Sequence, residues 1–243
     1  MRAILWKEIT AFFSSLIGYV VIGIFLLITG LVMWVFTDSS LLEYNYATLN
    51  QLFDLAPVIF LFLIPAVTMR TFSEEWQRGT IEMLMTRPVS DWQIVLGKYG
   101  AALVLLVIAL LPTAIYFYSV YQLGSPVGNL DIGGTLGSYI GLFFLAATFA
   151  SVGVFASSLT TNQIVAFLLA VALCFLLHYG FYYFSRLPVF FGRSDALVQM
   201  LGVDYHYRSI SRGVLDSRDL LYFGSVIFFF LAATQAVLAA RRA

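Results

Sequence analysis

A chain of 243 residues that is 61% apolar, 17% aromatic and only 11% charged has too little polar surface to coat a soluble globule, and its mean hydropathy of +0.92 points to a membrane-embedded protein. Its 13 basic and 13 acidic side chains cancel, which excludes the one-signed field that recruits nucleic acid, so the placement of the charges carries the information. The one cysteine, Cys174, has no partner for an internal disulfide and reads as a small apolar residue in an apolar run.

Residues 2–16 set Leu5, Ile9, Phe12, Phe13 and Leu16 on one helical stripe, with Arg2, Lys7, Glu8, Ser14 and Ser15 around the rest of the axis, as an interfacial helix would. A cleaved leader competes with this reading. Charges persist to Glu8, however, the following apolar run is too long and no small-residue cleavage site closes it, so the helix is expected to be retained. Residues 17–36 are twenty without a charge, enough at about 1.5 Å per residue to cross about 30 Å of hydrocarbon. Residues 37–54 then hold Asp38, Glu43 and Asp54 but no Lys or Arg, whereas Arg2 and Lys7 precede the span; this bias predicts a cytoplasmic N-terminus. The second span, residues 52–69, is short and is expected to kink at Pro65, with Pro57 also inside it.

It returns the chain to Arg70, Arg78, Arg87 and Lys98, the densest basic set at any membrane face, which places residues 70–98 on the cytoplasmic side. Thr71 and Glu74 have capping-box spacing, Phe72 and Trp76 share a side, and Gly79 ends the first turn. Thr80 restarts a helix through Ile81, Glu82, Met83, Leu84 and Met85 that Pro88 stops, and Ser90 with Gln93 marks a third start. The expected result is two or three short amphipathic helices at the membrane surface, with Glu74, Glu75, Arg78, Glu82 and Arg87 facing water or a partner.

Residues 99–121 form a third span with Pro112 as a kink and Tyr116, Phe117, Tyr118 and Tyr121 at the outer interface. From residue 132 to 185 fifty-four residues carry no charge, which requires two spans, 134–156 and 164–184, with residues 157–163 as a tight inner turn. Gly133, Gly137 and Gly141 recur every four residues, with Gly153 and Ser157 in phase, and offer a flat face for internal packing or for a subunit interface. Residues 186–219 fall outside by parity. Their five arginines are tolerated there because Asp204 with Arg208, and Arg212 with Asp216, have i,i+4 spacing, while Phe190, Phe191, Leu197, Val198, Met200 and Leu201 suggest a partly embedded outer helix. His206 has no second ligand at metal-binding spacing and reads as interfacial packing; His178, an ionisable group in the fifth span near its outer end, is a functional candidate. Residues 220–240 make the sixth span, closed by Arg241 and Arg242 inside. The expected fold is an all-α integral membrane protein, one transmembrane domain of six spans over residues 1–243 with both termini cytoplasmic.

Several chemistries are missing. Gly97-Lys98 lacks the upstream glycine of a phosphate loop, and no Gly-x-Ser-x-Gly, His-Glu-x-x-His or Cys-x-x-Cys occurs, so neither nucleotide binding, catalysis nor a resident cofactor or metal is expected in this chain. The spans hold no carboxylates of the kind that couple protons or sodium to transport. Energy must then enter from a different polypeptide.

Glu75, the run Arg78-Gly79-Thr80-Ile81-Glu82-Met83-Leu84, Arg87-Pro88 and Gly97-Lys98 together resemble the signature between spans two and three of ABC-2 type permeases. Residues 212–216 and 219–223 look like that family's C-terminal pattern. Lys7-Glu8, Phe12-Phe13-Ser14-Ser15, residues 62–66 and residues 156–160 further resemble the gliding-motility-associated permease subunit. The resemblance implies a bacterial inner-membrane protein paired with a second permease, identical or related, and docked on a cytoplasmic ATP-binding subunit that carries the ATP and Mg. It casts residues 80–85 as the coupling helix, and Glu74, Glu75, Arg78, Gly79, Thr80, Ile81, Glu82, Met83, Leu84 and Arg87 as the docking residues. A non-translocating membrane scaffold for an ATPase-linked assembly is the alternative; no intramembrane charge marks a cargo path, so apolar cargo or none fits both.

Overall fold

The computed structural model describes residues 1–36, 41, 46–86, 88–190 and 195–242, and of residues 17, 85 and 190 the backbone only. Asp38, Glu43, Arg87 and Phe191 therefore lie outside the described residues, as does the Phe190 side chain. Among the described residues all regular structure is helical. The order is α1 (Arg2–Phe13), α2 (Leu16–Trp34), α3 (Asn50–Thr68), α4 (Arg70–Gln77), α5 (Thr80–Met85), α6 (Asp91–Leu110), a 3-10 turn (Leu111–Thr113) and α7 (Ala114–Leu123). There follow α8 (Ile132–Leu159), α9 (Gln163–Phe175), a π-helical segment (Leu176–Gly180), α10 (Phe181–Ser185), a 3-10 turn (Pro188–Phe190), α11 (Asp195–Gln199), α12 (Val203–Ile210) and α13 (Ser217–Arg242).

Among the described residues five runs are long and apolar enough to cross a membrane: Asn50–Gln77, Asp91–Leu123, Ile132–Leu159, Gln163–Ser185 and Ser217–Arg242. A sixth exists if α1 and the helix from Gly18 to Trp34, bent by 69° to each other, are taken as one. Burial decides which run is central. In α8 78% of the most apolar stretch is buried, against 28% in α13 and 22% in the run from α9 to α10. α8 packs against α3, α6, α9 and α13, and near its ends against α12 and α4. Its sequence allows this because Gly141, Ala146, Ala150 and Gly153 keep its surface low enough for neighbouring backbones to approach.

α3 and α8 run in the same direction. The Phe53 and Tyr139 rings meet at one end, 5.1 Å apart, and Met69 meets Ser157 at the other. Hydroxyls inside the bundle are satisfied locally: Thr29, Thr68, Thr148 and Thr234 each donate to the carbonyl four residues earlier, at 2.7–2.9 Å. Proline is handled by a different device. Pro57 has no N–H to give to the Phe53 carbonyl, and the Tyr207 hydroxyl donates to that oxygen instead, at 2.7 Å. Pro112 sits in the 3-10 turn that joins α6 to α7.

Several expected boundaries move. α8 extends over Ser157 and Ser158, both fully buried, so only residues 160–162 turn the chain, and Asn162 caps α9 by accepting from Ile164 N at 2.9 Å. The inward side of α1 is led by Ile4 and Phe12, with Leu5, Glu8, Ile9 and Phe13 half-buried; of the expected stripe only Leu16 is exposed, and it begins α2. The outer segment comprises separate short helices. Asp204 and Arg208 pair at 2.7 Å, but Arg212 lies beyond the end of α12, so its expected i,i+4 relation to Asp216 does not form.

Candidate functional site

The segment singled out by its charges begins without a break. Met69 keeps right-handed helical angles (φ −55°, ψ −32°), so α4 prolongs α3, and no Thr71–Glu74 box is made because no helix starts there. The link is fastened from across the bundle. Ser157 Oγ accepts from Phe72 N (2.9 Å) and Ser73 N (3.1 Å) and donates to Met69 O (2.8 Å).

Glu75 faces inward, contrary to its expected exposure. It is 8% exposed and lies 2.5 Å from Lys7 Nζ of α1 and 3.0 Å from Lys98 Nζ of α6. The Lys98 side chain is fully enclosed; it also reaches Glu8 Oε1 at 2.7 Å and the Thr71 carbonyl at 2.5 Å, and lies 5.0 Å over the Phe72 ring. Two carboxylates, two ammonium groups and a carbonyl thus tie α1, α4 and α6 into one knot. Its enclosed pair, Lys98 and Glu75, survives away from water only because each charge has an opposite neighbour. Arg70 adds a link from α4 to Ser15 Oγ at 3.3 Å.

The outer side of α4 differs. Glu74 and Arg78 pair with each other at 2.8 Å, and the Arg78 side chain is 70% exposed. Gly79 reverses the chain at φ +68°, a conformation L side chains rarely adopt; a Cβ there would touch nothing within 4 Å, so backbone geometry rather than space calls for glycine. α5 follows as a short, one-sided helix. Ile81 is 1% exposed and Leu84 half-buried against the core, whereas Thr80, Glu82 and Met83 face outward, Met83 at 73%. Ser90 and Gln93 then form the expected capping box and start α6. The end of α13 rests on the same face: Arg242 pairs with Asp91 at 2.9 Å, and Arg241 donates to the Leu159 carbonyl at 2.6 Å while lying 4.5 Å over the Trp76 ring.

The structure thus brings Glu74, Arg78, Gly79, Thr80, Glu82 and Met83 to one exposed edge, turns Ile81 and Leu84 inward and places Glu75 behind that edge. Sequence reasoning missed Lys7, Glu8 and Ser157 as its supports. The signal available was chemical: in a chain with so few charges, Lys98 leading into an apolar helix requires an acid nearby.

The glycine ladder lies elsewhere. A Cβ on Gly137 would come within 2.8–3.1 Å of the Gly213 backbone, and one on Gly141 would meet Ile210, so the two face the end of α12 and the turn after it in the same chain; Gly133 alone of the three is exposed. The histidines sit near that same end. His178 is 2% exposed, 4.0 Å from Asp204, with a ring centroid 5.9 Å from Phe149, so it is enclosed rather than reaching out of the bundle. His206 binds Asp219 (2.7 Å) and the Met200 carbonyl (2.9 Å) and stacks on Tyr222 at 3.9 Å.

Comparison with known proteins bears on this arrangement. Residues 2–185 match the family described as ABC-2 family transporter protein, a span that contains the whole α4–α5 region and leaves out the arginine- and aspartate-rich segment and α13. Comparison with curated proteins gives no match.

Proposed function

The chain belongs to the ABC-2 transporter family, whose members are multi-pass membrane components that normally work with a cytoplasmic ATP-binding subunit, and from that premise we propose that it is the permease subunit through which such an ATPase drives a membrane step. The observation that carries this reading is the contrast between α5 and what stands behind it. α5 presents Glu82 and Met83 to the outside, while α4 behind it is fixed to α1, α6 and α8 by the Lys7–Glu75–Lys98–Glu8 cluster and by Ser157. A push on α5 therefore reaches α1 and the span-forming helices α6 and α8 without first being absorbed by a loose loop.

In this reading the α5 end is cytoplasmic, both termini lie on that side, the membrane is the bacterial inner membrane, and residues 1–243 form one six-span domain. The docking residues are Glu74, Arg78, Gly79, Thr80, Glu82 and Met83, with Ile81 and Leu84 as the seat beneath and Arg87 following. Glu75 belongs to the support instead. A second permease, a copy or a relative, packs on the sparsely buried run from α9 to α10, since Gly137 and Gly141 are filled from within. The work done is export or, following the resemblance of the N-terminal and central motifs, mechanical action in a gliding-motility-type assembly.

Purification of the chain with its ATP-binding partner tests this. Glu82→Arg is expected to uncouple ATP hydrolysis from the membrane step, and Met83→Cys to cross-link to the ATPase, a clean readout because the native Cys174 is buried. Unchanged coupled turnover in Glu82→Arg, or Met83→Cys labelled from the periplasmic side of intact cells, refutes the assignment.

A further inference from the structure

The end of the bundle away from α5 holds a cavity of about 680 Å³ walled by the π segment, α12, the turn after it and the start of α13. Two of its three acids are paired with a side chain, and the third accepts a backbone N–H. Asp204 is paired with Arg208 at 2.7 Å and Asp219 with His206 at 2.7 Å, and Asp216 Oδ1 accepts from Arg218 N at 2.9 Å. Arg212 and Arg218 also line the cavity, and among the described residues neither guanidinium has a carboxylate within ion-pair distance. At the back stands His178. Its side chain is 2% exposed, its Nδ1 has no hydrogen-bond partner, and its Nε2 is 4.0 Å from Asp204, too far for a hydrogen bond. A buried polar ring left unpaired on the wall of a cavity carrying two unpaired guanidinium groups marks a site built for a polar guest.

Position narrows the guest's chemistry. The cavity lies where the run Gln163–Ser185 ends and the run Ser217–Arg242 begins, which is the level of the headgroups for two helices able to cross a bilayer. Its lip is apolar: Met200 is 43% exposed, Val214 59% and the adjacent Leu201 58%. Guanidinium groups bind phosphate oxygens in two-point fashion, and an apolar lip beside them suits acyl chains. We propose that this cavity seats the phosphate ester of a phospholipid headgroup, held by Arg212 and Arg218, with the acyl chains lying over Met200, Leu201 and Val214. Inorganic phosphate shares the headgroup chemistry but makes no use of that lip.

The test uses the full chain in detergent, with binding read by native mass spectrometry. Dioctanoyl phosphatidylglycerol is expected to bind and dioctanoylglycerol, which lacks phosphate, is not. The double variant Arg212→Ala/Arg218→Ala is expected to weaken phosphatidylglycerol binding at least about tenfold, and Arg212→Lys/Arg218→Lys to recover part of the loss. Both side chains are exposed, so folding is not at stake, and an unchanged thermal transition of each variant verifies this. Millimolar inorganic phosphate that fails to displace the lipid supports the lipid as the occupant; displacement assigns the seat to free phosphate and overturns the role given to the apolar lip. Equal phosphatidylglycerol affinity in the wild type and the alanine pair, or equal binding of dioctanoylglycerol, overturns the proposal. None of these outcomes depends on the ATP-binding partner.

Discussion

Replacing Lys98 by methionine removes the one fully enclosed ammonium group from the knot while keeping an unbranched side chain one atom shorter. Glu8, Glu75 and the Thr71 carbonyl all lose their shared donor, and the two carboxylates are left with Lys7, which is 58% exposed and 3.9 Å from Glu8. Breaking a buried pair by deleting one partner costs about 3–5 kcal/mol, and this case is expected in that range because two acids are stranded together. Glu75→Gln is milder. Lys98 keeps Glu8 at 2.7 Å and the Thr71 carbonyl at 2.5 Å, and the amide still accepts, so about 1.5–3 kcal/mol is expected. The assay is unfolding by SDS in mixed micelles, followed by tryptophan fluorescence, for the two single variants and their double. The double is expected to fall short of the sum by at least about 1 kcal/mol, since both substitutions delete the same contact. A Glu75→Gln loss as large as that of Lys98→Met, losses below about 1 kcal/mol in both, or additive losses would each show that Lys98 is not the shared donor of the knot.

Three further substitutions address separate joints. Ser157→Ala removes the acceptor that Ser157 Oγ offers to the N–H groups of Phe72 and Ser73 at 2.9 and 3.1 Å, and should cost about 1–3 kcal/mol together with faster amide exchange at these two residues than elsewhere in α4. Tyr207→Phe leaves the Phe53 carbonyl without the donor that Pro57 cannot supply; a loss of about 1–3 kcal/mol is expected in the same unfolding assay, and a Pro57→Ala background should relieve part of it. Gly137→Ala sets a methyl group against Gly213 backbone atoms that cannot swing aside, and is expected to cost about 1–3 kcal/mol, with Gly133→Ala near neutral as the control.

What was legible in the sequence followed from period and composition. The apolar runs, the left-handed stop at Gly79, the Ser90 box and the one-sided helix Thr80–Met85 are local patterns, each decided within a few residues. Glu75 was not local. Its partners lie 68 positions earlier and 23 later in the chain, and no window around the Glu74-Glu75 pair tells which of the two carboxylates turns inward. Ser157 and Ser158 read as a turn because short hydroxyls compete with the helix backbone; in the fold both point to carbonyls, Ser157 to Met69 at 2.8 Å and Ser158 to Phe155 at 2.7 Å, so the helix runs on through them. The glycine spacing was visible, but whether a flat face is filled by the same chain or by another depends on where residues 210–213 fold back, and a repeat of small residues does not encode that.

The unbroken length of α8 has a mechanical meaning. Its 28 residues make a rod about 42 Å long, with Ser157 clasping the α3–α4 joint near one tip, while near the other Ser138 Oγ donates to the Ser211 carbonyl at 2.8 Å and Gly137 abuts Gly213. No proline interrupts it, and its serine and threonine hydroxyls are spent on its own turns or on these clasps, while the Tyr139 hydroxyl donates to the Thr113 carbonyl at 3.1 Å. Gripped at both tips, the rod ties the α3–α4 joint at Ser157 directly to the chain reversal beside the arginine-lined recess at its far end.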